Sequence, residues 1–169
     1  PKHGLVTQPW GPDASSKSAV DLAIEDAKKE LEIRKTYAVK HLPAAVLDQG
    51  PRAVFHTTKG DFTIKFFKTA APEAVANFKK LIQGGQYVDT YFHRVSPMQR
   101  VTGGCPNTKK DNRNREDDGD GSVGYDLPLE FNAALHTAGA VSMQRIAGKE
   151  RASGCIFNIC VIDQPDLNA

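Results

Sequence analysis

The sequence predicts a mainly β fold with helices, preceded by an extended arm and an amphipathic helix. Three observations carry that reading. Apolar residues recur with a period of two from Ala53 onward. The period is broken once, between about Pro72 and Gln83, by a short run with one apolar face. A separate helical pattern occupies about Ser18 to His41, so the chain divides into an N-terminal part, 1–52, and a second part, 53–169.

Residues 1–14 carry Pro9, Gly11 and Pro12 around the only tryptophan, Trp10, and show no periodicity, as expected of an extended arm lying on a surface. Val20, Ala23, Ile24, Ala27, Leu31 and Ala38 then form one helical stripe. Ser18 with Asp21 resembles a capping box, and Glu25 with Lys29 and Glu30 with Arg34 are favourable pairs four apart. Pro43 stops this helix, and Ala44 to Pro51 is a linker. Trp10 and the stripe Val20, Ile24, Ala27 and Leu31 are expected to be buried against other chains.

Val54 to Thr57 and Phe62 to Phe66 flank Thr58-Lys59-Gly60-Asp61, which predicts a hairpin with glycine in its turn. Pro72 occupies a first-turn position of the next helix, whose apolar face is Val75, Phe78, Leu81 and Ile82 and whose end is Gly84-Gly85. Phe92 and Val95 are strand formers and Pro97 ends their run, so Arg94 is expected to project from a half-buried strand near its end. Asn107 to Gly124 reads as a self-compensating charged loop. An EF-hand register there puts Leu127 where the bidentate Glu belongs, so calcium is not expected.

With 40% hydrophobic and 25% charged residues the 169-residue chain has an ordinary globular composition. A net charge of +2 is too small to make nucleic acid the main partner, and no segment approaches the roughly 18 consecutive apolar residues of a membrane span. Cys105, Cys155 and Cys160 show no C-x-x-C spacing and read as buried small hydrophobes. The chain opens at Pro1-Lys2-His3; an earlier targeting peptide fits that opening, and the compartment stays open.

Residues 91–104, Tyr-Phe-His-Arg-Val-Ser-Pro-Met-Gln-Arg-Val-Thr-Gly-Gly, couple a strand pattern to an unusually placed cation. The spacing resembles the cyclophilin family of peptidyl-prolyl cis-trans isomerases, whose run reads Phe-His-Arg, two apolar residues, Pro-Gly-Phe-Met, any residue, Gln-Gly-Gly. The resemblance extends to the Thr-Thr-Lys-Gly-Asp hairpin, Asn77-Phe78, Gly124 to Asn132, His136 to Met143 and Ser153 to Cys160. It implies a cyclophilin-like antiparallel β-barrel from about Ala53 to Asn168, incomplete because the family's last strands and second helix have no counterpart here.

The same resemblance implies that Arg94 is the catalytic arginine and that Phe92, His93, Gln99, Arg100, Thr102, Gln144, Arg145, Ile156 and Asn158 lie at the peptide site. Rotation about an X-Pro bond faces about 18–20 kcal/mol of amide resonance and calls for no cofactor and no metal. A site must seat the proline ring, hold the flanking backbone and donate to the prolyl nitrogen as it pyramidalises. A guanidinium suits the last task because it is always charged and presents fixed donors. Several pocket letters depart from the family. Gln99, Arg100 and Thr102 stand where it has Phe, Met and Gln, Ile156 and Asn158 where it has Gln and Phe, and Asp166 where it has Trp. The expectation is a degenerate cyclophilin-like domain with weak or no isomerase activity, acting as a protein-binding or structural subunit of a multi-protein complex. The alternative is an active peptidyl-prolyl isomerase assisting folding. The partner is a protein or proline-containing peptide in either case.

Overall fold

In the computed structural model, which describes residues 24, 25, 27–29, 32, 50–109 and 115–168, Gly60 at φ 124° reverses the chain between β1 (Arg52–Thr57) and β2 (Gly60–Lys65). That φ is left-handed and costs glycine little. The antiparallel register runs from Arg52 opposite Lys65 to Thr57 opposite Gly60. Alternation then gives Phe55, Phe62 and Ile64 a common face, where Phe55 and Phe62 stack at 4.9 Å between ring centroids.

Helix α1 (Pro72–Gln83) lays Val75, Phe78 and Leu81 against the sheets, with Phe78 3% exposed. Ile82, expected on that face, is instead exposed, and Asn77 is buried. The buried face is rotated toward Asn77 because its amide Nδ2 donates to the Gly154 carbonyl at 2.7 Å, while its Oδ1 accepts from the Tyr125 hydroxyl at 2.6 Å. A buried amide with both ends satisfied holds the helix at a fixed rotation, which apolar contacts alone do not. The N-cap residue, Ala71, has no side chain to cap with; Glu130 does the work from a distant loop, accepting from the backbone N–H groups of Glu73 at 2.9 Å and Ala74 at 2.8 Å.

The remaining strands are β3 (Arg94–Ser96), β4 (Arg100–Gly103), β5 (Asp126–Pro128), β6 (Val141–Arg145) and β7 (Arg151–Cys160). They form one antiparallel sheet organised on β7, which pairs with β4, β5 and β6, while β3 hangs on β4. Phe157 projects from β7 into the main core with Ile64, Phe66, Val75 and Phe78. Its ring lies 5.4 Å from Phe78 and 5.6 Å from Tyr87, and burying each such ring contributes about 1.5–3 kcal/mol. The fold is thus mainly β with helices. Among the described residues β1 and β2 form a sheet of their own, no strand pairs with the outer edge of β6, and the barrel is not closed.

The chain divides into two compact units, Pro1–Thr36 and Tyr37–Ala169. In the first, the described residues 24, 25, 27–29 and 32 are helical, inside the helix predicted there. Ile24 and Ala27 are exposed in this single chain, Ile24 at 46%. Trp10, Val20 and Leu31 lie outside the described residues. All three cysteines are free and buried, and no described helix is long and apolar enough to cross a membrane.

Candidate functional site

The site is built on a row that crosses four strands. Arg94 on β3 lies opposite Thr102 on β4, Thr102 opposite Asn158 on β7, and Asn158 opposite Ser142 on β6. Residues directly opposite in an antiparallel ladder project to the same face, so these four side chains share one surface. Strand β3 is shorter than its composition suggests. Phe92 and His93 precede it, and Arg94 is its first residue rather than one near its end. Pro97 stops it, and Met98 turns the chain with φ at 55°, closed by a hydrogen bond from the Gln99 N–H to the Ser96 carbonyl at 3.1 Å.

Thr102 and Asn158 form a closed polar pair: the Thr102 hydroxyl donates to Asn158 Oδ1 at 2.8 Å, and Thr102 is 2% exposed. The hydroxyl has spent its donor inside the protein. The Asn158 Nδ2 group keeps both of its donors. Arg94 is exposed and, among the described residues, makes no ion pair or side-chain hydrogen bond. Arg100 lies opposite Ser96 on one side and Cys160 on the other, and shares the Thr102 face because it is two residues along β4. Burial pushes the Cys160 thiol up, and the Arg100 charge pulls it partly back. The Gln99 side chain is exposed, and its carbonyl accepts from the Val161 N–H at 2.8 Å, tying the turn to the end of β7.

Five candidates lie off this row. Ile156 is 4% exposed within a cluster of Leu81, Cys105 and Cys155, so its side chain lies in the core. The reason is that β7 is covered on both sides along this stretch. The Phe92 ring packs on Phe62 and Phe157, at 6.2 and 6.3 Å, and supports the row from the core side. Gln144 falls in the register break between Met143 and Arg145, off the ladder, and both it and Arg145 are half-buried. His93 donates its backbone N–H to the Thr102 carbonyl at 3.1 Å, and its ring lines an open hollow of about 370 Å³ with Tyr91, Phe92, Arg115 and Asp118. Burial, with help from the Arg94 charge, lowers its basicity below the usual histidine range; Asp118 and the Tyr91 backbone pull the other way.

The paired glycines explain how the sheet closes behind the row. A Cβ on Gly103 would sit 2.8 Å from the Phe92 ring; Gly104 has φ 88°, and a Cβ there would collide with the Cys155 carbonyl. Ser96 and Ser142 are site residues that motif reading passed over. The signal for Ser142 was its place in the run Ala140 to Met143, but its position opposite Asn158 emerges only from the β6–β7 register. In the charged loop, Arg115 reaches Asp118 at 3.3 Å and lies over the Tyr91 ring at 5.0 Å. No group of His, Cys, Asp or Glu among the described residues is arranged to hold a metal ion.

Residues 52–169 match the family described as cyclophilin type peptidyl-prolyl cis-trans isomerase/CLD. The chain is 40% identical over 117 residues to a peptidyl-prolyl cis-trans isomerase of Synechococcus elongatus, covering 69% of this chain and 73% of that protein. It is 32% identical over 136 residues to one of Helicobacter pylori, covering 79% and 75%. Among solved structures, a cyclophilin type peptidyl-prolyl cis-trans isomerase of Cryptosporidium parvum superposes with a TM-score of 0.60 at 26% identity, over 69% of this chain and 70% of that one. The same protein in the presence of the dipeptide Ala-Pro gives a TM-score of 0.57 at 26% identity, over 66% and 68%.

Proposed function

Because the chain belongs to the cyclophilin-type peptidyl-prolyl cis-trans isomerase family, we propose that it binds proline-containing peptides across the Arg94, Thr102 and Asn158 row and isomerises X-Pro bonds slowly, through Arg94. The observation that carries this is the exposed guanidinium of Arg94, without a partner among the described residues, beside a Thr102 hydroxyl whose donor is already used by Asn158. Relatives named as isomerases and a structural neighbour studied with Ala-Pro support the same substrate class.

The chemistry follows from the barrier. As the X-Pro bond twists, the prolyl nitrogen loses amide conjugation and becomes a better acceptor; Arg94 supplies an N–H donor that gains strength only in the twisted state. Thr102 and Asn158 form the floor of the proline seat. Their mutual hydrogen bond means that seating a ring over them does not strand the Thr102 hydroxyl, a loss of about 1–3 kcal/mol if it did. The seat is still less apolar than one with an aromatic wall, and slow turnover of ordinary apolar peptides follows from that. Asn158 Nδ2, not used in the bond to Thr102, is the donor for a peptide carbonyl in this reading. His93 is a positioning residue here, since bond rotation moves no proton.

Cis/trans exchange of a short proline peptide, measured by exchange NMR with wild-type protein and with Arg94→Ala, tests the reading. Exchange faster than the uncatalysed rate that falls by roughly 10²-fold or more on removing the guanidinium is the expected result, the size seen when a preorganised donor is lost. No proline-dependent binding by the wild type overturns it.

A second reading, a protein-binding or structural subunit without turnover, is favoured by Ile24, an apolar helix residue 46% exposed in the single chain. The mass of the full chain in solution separates the two: a stable monomer with arginine-dependent exchange leaves no need for the subunit role.

A further inference from the structure

We infer that the peptide face selects proline peptides carrying an anionic side chain within two residues of the proline, with Arg100 as the specificity residue. This rests on the peptide-binding reading above.

Arg94 and Arg100 are diagonal neighbours across the β3–β4 ladder, because Arg94 is opposite Thr102 and Arg100 lies two positions along the same strand on the same face. Diagonal positions in an antiparallel pair stand about 7–8 Å apart, within mutual reach of long side chains. Two guanidiniums therefore bracket one stretch of surface. The ladder positions around them on that face are neutral: Ser96 opposite Arg100, and Thr102, Asn158, Ser142 and Cys160 along the adjoining strands. Among the described residues neither arginine makes an ion pair or a side-chain hydrogen bond, so two positive charges stand on this surface without a bonded carboxylate there. Asp118, the carboxylate that acts on His93, is held by Arg115.

Two like charges held this close repel each other, and an anion between them removes the repulsion while gaining two charge-assisted hydrogen bonds. The spacing also suits a peptide. An extended chain advances about 3.3 Å per residue, so 7–8 Å corresponds to about two residues. A proline whose nitrogen faces Arg94 thus presents a neighbouring side chain to Arg100. An acidic side chain there is attracted, a basic one repelled. A carboxylate and a phosphate share this chemistry, and the experiment below tells them apart.

Four peptides identical except for Ala, Lys, Glu or phosphoserine two residues before the proline are titrated into the protein, and dissociation constants are read by NMR shift changes at low and high salt. Wild type is expected to bind the Glu peptide roughly fivefold or more tightly than the Ala peptide and the Lys peptide least, with the preference shrinking as salt rises. If the phosphoserine peptide exceeds the Glu peptide, phosphate is the preferred anion; if not, carboxylate is. Arg100→Gln is expected to collapse the Glu-to-Ala ratio toward one, and Arg100→Lys to keep part of it. Equal binding of the Ala, Lys and Glu peptides by the wild type overturns the inference while leaving proline recognition standing, as does a Glu preference that survives Arg100→Gln. Failure to bind any of the four, with no binding of a longer proline peptide, overturns the peptide-binding reading itself.

Discussion

Glu130 holds the N-terminus of α1 through Ala74: its carboxylate accepts the Ala74 N–H at 2.8 Å and, with its other oxygen, the N–H of Glu73 at 2.9 Å. The first N–H groups of a helix lack intrahelical partners, and the partial positive charge gathered there favours a carboxylate. Replacing Glu130 by Ala is expected to destabilise the domain by about 1–2 kcal/mol. Thermal unfolding of the two proteins checks this, at roughly 2–4 °C per kcal/mol for a chain of this size. An unchanged midpoint would mean that water caps the helix as well as Glu130 does.

Met98 holds a left-handed backbone, with φ at 55°, while its side chain is 72% exposed. The side chain gains little from packing, and its Cβ costs roughly 1–2 kcal/mol in that conformation. Met98→Gly is therefore expected to raise stability by about 0.5–1 kcal/mol, the remainder going to the greater freedom of glycine in the unfolded chain. Denaturant unfolding measures the change directly.

Asn158→Phe tests the polar seat. A ring at this position supplies the apolar wall, while the Thr102 hydroxyl loses its acceptor. The expected outcome is tighter binding of neutral proline peptides, by several-fold, together with a stability loss of about 1–2 kcal/mol. Adding Thr102→Val is expected to recover part of that stability, and unfolding of the double variant reads the coupling.

His93 gives a pH dependence of definite sign. Its folded-state basicity is lowered, chiefly by burial and then by Arg94, against the opposing pull of Asp118 and the Tyr91 backbone. Between the lowered folded value and the ordinary value near 6.5, the unfolded chain binds more protons than the folded one, so stability rises with pH in that window. Acidification through pH 6.5 is expected to lower the melting midpoint, with a plateau in this contribution once the pH is below the folded value. His93→Gln should flatten that part of the profile; an equal slope in both proteins would assign it to other groups.

The parts legible in the sequence were those set by local pattern. The turn at Gly60 and the bounds of α1, with Pro72 in its first turn and Gly84 after Gln83, follow from residues that are neighbours in the chain. The glycine pair that ends the run 91–104 stands in the sequence too, and neither position leaves room for a Cβ. What could not be read depends on contacts between distant segments. Ile82 looks as apolar as Leu81, but Asn77 sets the helix rotation by bonding Gly154 and Tyr125, and Ile82 ends outside. Ile156 lies two residues from Asn158, where period two gives both one face, yet β7 is covered on both sides where Ile156 lies, so period alone could not separate its surroundings from those of Asn158. The Thr102–Asn158 bond likewise joins residues whose adjacency exists only in the β4–β7 register.

That dependence on β7 also sets a timetable for the nascent chain. β4, β5 and β6 all take their register from a strand made after every one of them, so on the ribosome they must wait, and Phe78 and Tyr87 must wait for Phe157. Until residue 160 has emerged, the β1–β2 and β3–β4 hairpins can pair within themselves, while α1 still lacks Gly154 and Phe157. Long-range pairing of this kind slows folding and leaves apolar surface open in the interval. The domain's exposure to wrong partners is therefore greatest just before synthesis reaches the strand that organises it.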